Sequence, residues 1–91
     1  MDGETCLVRC VITRRGHFTT HMRFEAQAED GRIVARSDVF DGDYSGAHKH
    51  RPDHAAAHRR LVDGLLAAGW EPAGRDERWY ELRFRRPAPV A

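Results

Sequence analysis

Residues 52–70, PDHAAAHRRLVDGLLAAGW, constrain the fold most, because this segment carries helix signals at both of its ends. Pro52 suits the first turn, where its missing N–H group is not needed, and Asp53 places a carboxylate near the positive end of the helix dipole. Gly69 can adopt the left-handed conformation that ends many helices, and Trp70 can fold back over the last turn. An apolar stripe at helical spacing consists of Ala57, Leu61, Leu65 and Ala68.

Two strands are predicted ahead of the helix, because apolar and polar residues alternate over residues 5–14 and 18–29. Residues 15–17 are predicted to form a three-residue hairpin loop around Gly16. This loop length places Cys10 beside Met22 and keeps the apolar sides of both strands on one face. The predicted inner face consists of Cys6, Val8, Cys10, Ile12, Phe18, Thr20, Met22, Phe24, Ala26 and Ala28.

Asp30-Gly31 is a strong signal for a two-residue hairpin turn, and it predicts a third antiparallel strand. The predicted pairs are Ala28 with Ile33 and Ala26 with Ala35 on the inner face, and Glu25 with Arg36 and Arg23 with Asp38 on the outer face. Opposite charges paired across a sheet stabilise it by a few tenths of a kcal/mol each.

The rest of the chain supplies one more strand. Residues 41–51 are predicted to be a polar linker to the helix, and residues 71–78 a loop with Pro72 and Gly74. Residues 79–86 form the last predicted strand, with Tyr80, Leu82 and Phe84 inward and Trp79 outward. The predicted fold is α+β in the order β-β-β-α-β, an antiparallel sheet with one helix packed on one face. We expect a single domain over residues 1–91, with an ordered core over about residues 5–86 and a flexible tail over 87–91.

Composition limits the partners. The 91 residues include 15 Lys and Arg against 14 Asp and Glu, a net charge of +1, so attraction to polyanions is weak unless the charges segregate. No apolar run is long enough to span a membrane, and the acidic start of the chain is unlike a signal peptide. Cys6 and Cys10 lie about 13 Å apart along one strand, too far for a disulfide. We therefore expect a cytoplasmic protein with two reduced cysteines in its core, and no membrane partner.

The helix and the last strand resemble a group of short actinobacterial-type proteins of unknown function. The shared pattern is a leucine-rich helix, then Gly-Trp-Glu, then a closing Trp-Tyr-Glu-x-Arg-Phe strand. The residues that carry it in this chain are Asp30, Gly31, His58, Leu61, Leu65, Gly69, Trp70, Glu71, Trp79, Tyr80 and Phe84. The resemblance implies the same order of elements. It implies no catalytic residue, because the group has no assigned chemistry.

A histidine cluster is the first candidate site. Four of the six histidines, His48, His50, His54 and His58, fall within a short stretch around the start of the helix. His54 and His58 share one helical face, about 5–6 Å apart at Cβ, and neutral imidazoles at this spacing can bind zinc or nickel. The metalloprotease pattern is absent, because no Glu follows His54. Solvated histidines, or a response to pH near neutrality, are the alternatives.

A calcium loop is a weaker candidate. Asp41, Asp43 and Ser45 place oxygens at the first, third and fifth positions of an EF-hand-like loop, and Gly46 stands at the sixth. Pro52 occupies the twelfth position, where a bidentate Glu is needed. The alternative is an ordinary turn, because Asp, Gly and Ser are common loop residues.

Arginines on the outer face form the third candidate site. A sheet backed by a helix can place such a face against nucleic acid, although the acidic residues on the same face favour ion pairing within the protein. The candidate nucleic-acid residues are Arg9, Arg23, Arg36, Arg83 and Arg85.

Catalysis has the least support, because the chain lacks a phosphate-binding glycine loop and a nucleophile elbow. We expect no enzyme activity and no cofactor. The leading hypothesis is a small protein-interaction or adaptor domain that binds another protein or a second copy of itself. Its predicted interface consists of apolar residues set among charges on the outer face, namely Leu7, Val11, Val34 and Trp79.

Overall fold

The computed structural model describes residues 3–43 and 45–87. Within these residues the chain forms six strands and one helix, in the order β-β-β-β-α-β-β. The elements are β1 (Glu4–Arg15), β2 (Thr20–Ala28), β3 (Ile33–Arg36), β4 (Phe40–Gly42), α1 (Pro52–Ala67), β5 (Glu71–Arg75) and β6 (Leu82–Arg86).

The strands form one antiparallel sheet in the order β3-β2-β1-β6-β5. The short strand β4 pairs with β2 on the same edge as β3, next to the first residues of β2. The helix α1 packs on one face of this sheet, mainly against β2, β3 and β4. The α+β class and the single helix on one face of an antiparallel sheet are therefore confirmed.

Two short strands were not predicted. β4 lies at the start of the predicted polar linker, and its three residues are too few for an alternating pattern to be visible. β5 lies in the predicted loop and contains Pro72 and Gly74. All five residues of β5 are exposed and the strand is at the edge of the sheet, a position where a proline is tolerated because one side of the strand needs no ladder hydrogen bond.

The helix begins as predicted at Pro52, and its regular part ends at Ala67. Gly69 has a φ of 93°, and its N–H donates to the carbonyl oxygen of Leu66. The N–H of Trp70 donates to the carbonyl oxygen of Leu65, so the two bonds form the glycine-based helix end that residues 69–70 predict. Ala57, Leu61 and Leu65 are buried, whereas Ala68 is exposed.

The core lies between the inner face of the sheet and α1, around Phe24. The Phe24 ring centroid lies 4.9 Å from that of Phe40 and 5.3 Å from that of Tyr80. Burying a side chain of this kind stabilises the fold by about 1.5–3 kcal/mol. The buried apolar residues are Cys6, Val8, Met22, Phe24, Ala26, Phe40, Ala57, Leu61, Leu65, Trp70, Tyr80 and Phe84.

The first hairpin differs from its prediction in register. Met22 pairs with Ile12, two residues beyond the predicted Cys10, because the loop covers residues 16–19 and a β-bulge at Thr13 adds a residue to β1. The loop is closed by a 2.9 Å hydrogen bond from the Gly16 N–H to the carbonyl oxygen of Thr19. The two-residue offset keeps the inner face intact. Phe18, predicted to face inward, is instead 95% exposed in the loop.

The second hairpin follows its prediction near the middle of β2. The pairs Ala26 with Ala35 and Glu25 with Arg36 are confirmed. A bulge then shifts the register, so that Ile33 pairs with Gln27 and not with Ala28. The predicted pair of Arg23 with Asp38 is wrong, because β3 ends at Arg36 and Asp38 contacts Arg60 at 3.2 Å.

The start of β1 pairs with the end of β6, from Glu4 opposite Arg86 to Leu7 opposite Arg83. Pro87 is exposed, and the remainder of the predicted tail, residues 88–91, lies outside the described residues. No helix in the described part of the chain has the length and apolar character needed to cross a membrane.

Candidate functional site

The outer face of the sheet, turned away from α1, is not covered by any element of the described chain. On it, Leu7 and Val11 are half-buried and Arg9 is exposed. In register, Leu7 lies beside Gln27, Arg9 beside Glu25 and Val11 beside Arg23. A surface depression of about 300 Å³ lies on this face, bordered by residues of β1, β2 and β6 that include Leu7, Arg9, Gln27 and Arg83.

Glu25 is the buried residue of the outer face, with 7% of its surface exposed. The Nε and Nη2 atoms of Arg23 both lie 2.8 Å from its Oε2 atom, and Nε of Arg36 lies 3.8 Å from the same oxygen. Nε2 of Gln27 donates to the other carboxylate oxygen at 3.4 Å. One carboxylate therefore hydrogen-bonds one guanidinium group and lies within ion-pair distance of a second, on a face that no described element covers, which leaves the cluster with a positive charge.

The bulge at Thr13 extends this row of cations toward the hairpin loop. Beyond the bulge, Arg14 pairs with His21. His21 lies two residues from Arg23 in β2, so both lie on the outer face, and Arg14 therefore lies there too. Without the extra residue, Arg14 would have followed Ile12 onto the inner face.

Four of the five predicted nucleic-acid residues form ion pairs within the protein. Besides Arg23 and Arg36, Arg83 makes a bidentate contact with Asp76 at 2.6 and 2.9 Å, and Nε of Arg85 lies 3.6 Å from Glu71. No carboxylate of the described chain lies within ion-pair distance of Arg9 or Arg14. Among the arginines of the outer face, those without an ion pair in the described part of the chain therefore lie on β1.

The predicted apolar interface is reduced to Leu7 and Val11. Val34 packs against the buried core. Trp79, predicted to face outward, lies on the inner side: its ring centroid is 4.9 Å from that of His58 and 5.8 Å from that of Phe24, and its Nε1 donates to the carbonyl oxygen of Ala47 at 3.1 Å. The prediction was wrong because residues 79–80 form a turn, with β6 starting only at Leu82, so strand alternation does not apply to them.

The two helical histidines are core residues with satisfied hydrogen bonds. Nδ1 of His54 accepts from the backbone N–H of His48 at 3.0 Å, which leaves the proton on Nε2 to donate to the carbonyl oxygen of Asp41 at 2.7 Å. Nε2 of His58 donates to the carbonyl oxygen of Tyr80 at 3.0 Å, and burial lowers the pKa of His58. Both side chains are buried, so the expectation of solvated histidines is wrong for this pair.

The structure does not bring a third metal ligand to these imidazoles. Within the described residues, no three His, Cys, Asp or Glu side chains are grouped closely enough to hold one ion. The aspartates of the predicted calcium loop contact separate partners: Oδ1 of Asp41 lies 2.6 Å from Nδ1 of His21, and Oδ1 of Asp43 accepts from the N–H of Ser45 at 2.8 Å. The side chain of Asp43 therefore accepts a hydrogen bond from a backbone N–H two residues later, as in an Asx turn.

Cys6 and Cys10 are free thiols, as predicted. Cys6 is buried and Cys10 half-buried, and burial raises the pKa of each thiol to about 11. The Sγ atom of Cys10 lies 3.8 Å from the sulfur of Met22. At neutral pH both groups stay protonated, which is the unreactive form of a thiol.

A feature that the sequence reasoning missed is the far end of the first hairpin, residues 12–19, which we call the arm. Every residue of the arm is exposed, and Ile12, Arg14, Arg15, His17 and Phe18 all lie on it. The signal was present in the charge pattern: residues 7–24 contain four arginines and no acid, a charge of +4 in a chain whose net charge is +1, so the remaining residues carry −3.

Comparisons of this chain with protein-family models, with curated proteins and with solved structures found no match. The resemblance to short actinobacterial-type proteins therefore stays a prediction.

Proposed function

We propose that this protein is a binding module that recognises an anionic partner through the outer face of its sheet. The observation that carries the proposal is the segregation of charge: residues 7–24 hold +4 and the rest of the chain −3. Such an asymmetry attracts anions to the β1–β2 hairpin of a nearly neutral molecule and orients them as they approach.

The arginines of the outer face are suited to two different tasks. Arg23 is oriented by its hydrogen bond to Glu25, Arg36 lies within ion-pair distance of the same carboxylate, and each guanidinium group retains N–H donors that the carboxylate does not use. Arg9 and Arg14 have no carboxylate partner in the described chain, so a bound anion would not have to displace one. Together these arginines offer an anion hydrogen-bond donors beside a carboxylate and guanidinium charges that no described carboxylate neutralises.

The state of the titratable groups favours binding over catalysis. The thiols of Cys6 and Cys10 have pKa values of about 11, far above what a nucleophilic cysteine needs. Both helical imidazoles are buried and donate to backbone carbonyl oxygens, so these N–H groups are engaged in structural hydrogen bonds.

The test is elution from a column of immobilised heparin, a generic polyanion, in a rising salt gradient. We expect Arg9→Glu and Arg14→Glu each to elute at clearly lower salt than the wild type. Arg59→Glu is the matched control, because Arg59 is an exposed residue of α1, on the opposite side of the sheet, and the charge change is the same. If all three variants lose retention on heparin equally, the retention depends only on the net charge of the protein, and the proposal is wrong.

A self-contact through Leu7 and Val11 is the second candidate, because these two half-buried aliphatic residues lie on the same uncovered face. Native mass spectrometry of the wild type and of Val11→Lys tests it. A dimer that Val11→Lys converts to a folded monomer would favour the apolar contact, and a wild-type monomer would remove it.

A further inference from the structure

The arm lies at one end of the sheet. β6 pairs with β1 only from Glu4 to Leu7, so in the described chain the arm's part of β1 pairs with β2 alone, and β4 pairs with the opposite edge of β2, from Thr20 to Met22. The molecule measures 51 Å along its longest axis and only 23 and 22 Å across. A hairpin end of this kind is accessible from several sides.

The arginines of the arm have no ion-pair partner among residues 3–43 and 45–87. Arg14 and Arg15 form no ion pair with a described carboxylate, and no acidic residue lies in the sequence between Glu4 and Glu25. His17 adds a third basic group at the loop. Phosphate oxygens are natural ligands for such a group of arginines, because the guanidinium fork donates two parallel hydrogen bonds to them.

Phe18 adds an exposed aromatic ring to the basic residues of the arm, and this ring indicates what kind of anion can bind there. Its ring is 95% exposed, and its one close ring neighbour in the described chain is His17, with centroids 6.2 Å apart. A single ring is too small to form an apolar protein interface or to anchor a lipid surface, even with Ile12 at 46% exposure. An unpaired base needs only one free aromatic face, and stacking on it contributes about 1–3 kcal/mol per base.

We propose that the arm binds single-stranded nucleic acid, with phosphates on Arg14 and Arg15 and an unpaired base stacked on Phe18. This inference rests on the proposed recognition of an anionic partner and names that partner. The row of cations on the outer face, from Arg9 to Arg14, leads to the loop that carries Phe18, so a strand that stacks there can continue along the sheet. An acidic protein segment would satisfy the arginines but would leave the Phe18 ring in water.

The experiment measures fluorescence anisotropy of a labelled oligothymidylate of about 15 nucleotides, within the usual site sizes of single-strand binders. We expect Phe18→Ala to weaken binding by roughly 5- to 150-fold, which corresponds to the loss of one stacked base. Phe18→Tyr should retain binding, whereas Phe18→Leu, which keeps apolar bulk without a π face, should behave like Phe18→Ala. Arg15→Gln should lower the slope of log K against log salt by about 0.7, the contribution of one phosphate contact.

Two controls separate this inference from the function on which it rests. Circular dichroism and the urea midpoint of Phe18→Ala should match the wild type, because the ring contributes almost no burial. Polyglutamate serves as an anionic probe without bases. If the protein binds polyglutamate as well as the oligonucleotide, and Phe18→Ala changes neither, the partner is an acidic protein and the inference is wrong while the proposed function stands. If neither probe binds at low salt, both are wrong.

Discussion

The two faces of the β1–β2 hairpin are built from the same strands, yet they obey different constraints. On the inner face Val8, Met22 and Phe24 are fully buried, and their size and shape are set by the packing around them. On the outer face Arg9 is exposed and Arg23 is half-buried, and charge matters more than shape. Glu25 is the exception, because it is buried on the face that lies open. The difference teaches that this face is organised around a charge cluster and not around an apolar patch.

The largest contrast is expected between Phe24→Ala and Val11→Ala. Removing the Phe24 ring leaves a cavity in contact with Phe40 and Tyr80, and we expect it to lower the free energy of unfolding by about 3–5 kcal/mol. Val11→Ala on the outer face should cost only about 0.5 kcal/mol. Urea unfolding followed by circular dichroism measures both, and similar losses would mean that the outer face is packed against something in solution.

A smaller effect is expected at Glu25, where stability and binding should move in opposite directions. Glu25→Gln keeps the shape but loses the charge that Arg23 and Arg36 contact, so we expect a loss of about 1 kcal/mol of stability. The same change raises the charge of the outer face, and retention on heparin should increase.

Glu77→Gln is the matched control for Glu25→Gln, because Glu77 is an exposed residue of the loop before β6 and the charge change is identical. It should leave both stability and retention nearly unchanged. Weaker retention of Glu25→Gln would mean that Glu25 is itself part of the recognition surface, which would break the contrast between the two faces.

The smallest effect is expected from a change of pH, through His58 of α1, which packs against Phe24 of the inner face. Burial lowers the pKa of His58 from its ordinary value of 6.5, so the unfolded chain takes up the proton first as the pH falls. The stabilisation that neutral His58 gives to the folded state is therefore fully present above about pH 6.5. It is lost as the pH falls from there through the lower pKa of the folded state. Unfolding free energies between pH 8 and 5 measure the slope, which should be smaller in His58→Gln and unchanged in the exposed-site control His50→Gln.

The sequence allowed the locally encoded parts of this fold to be predicted. The start of α1 depends on Pro52, and its end on Gly69 and Trp70, which lie next to the bonds they form. The Asp30-Gly31 signal likewise predicts the central pairs of the second hairpin, although the loop covers three residues and not two, because the N–H of Ala28 donates to the carbonyl oxygen of Arg32. Each of these features is decided within a few residues, where propensity and turn chemistry act directly.

The errors arose where alternation was continued past the end of a strand. Phe18 lies in a loop and Trp79 in a turn, so neither obeys the period of the neighbouring strand. The bulge at Thr13, which brings Arg14 to the outer face, is equally invisible in the pattern, because it depends on how β1 and β2 align in space. Trp79 was lost from the predicted apolar interface for the first of these reasons.

The histidines show a second limit. The sequence places His54 and His58 on one side of a helix, but the carbonyl oxygens to which they donate belong to Asp41 and Tyr80, on other elements. From the sequence alone, a polar side chain is expected to face the solvent. It can be buried when the tertiary fold brings a backbone hydrogen-bond partner to it. Candidate metal ligands are therefore hard to separate from core histidines without coordinates.

The pairing of β1 with β6 also determines when the sheet can be completed during synthesis. Nη2 of Arg86 contacts a carboxylate oxygen of Glu4 at 2.5 Å, across 82 residues of sequence. On the ribosome, β1, β2 and β3 can pair as soon as they emerge, whereas one edge of β1 waits for β6 to be translated. Until then the nascent chain carries an unpaired strand edge of Glu4 to Leu7, the type of surface that chaperones protect, and the last described strand ends that exposure.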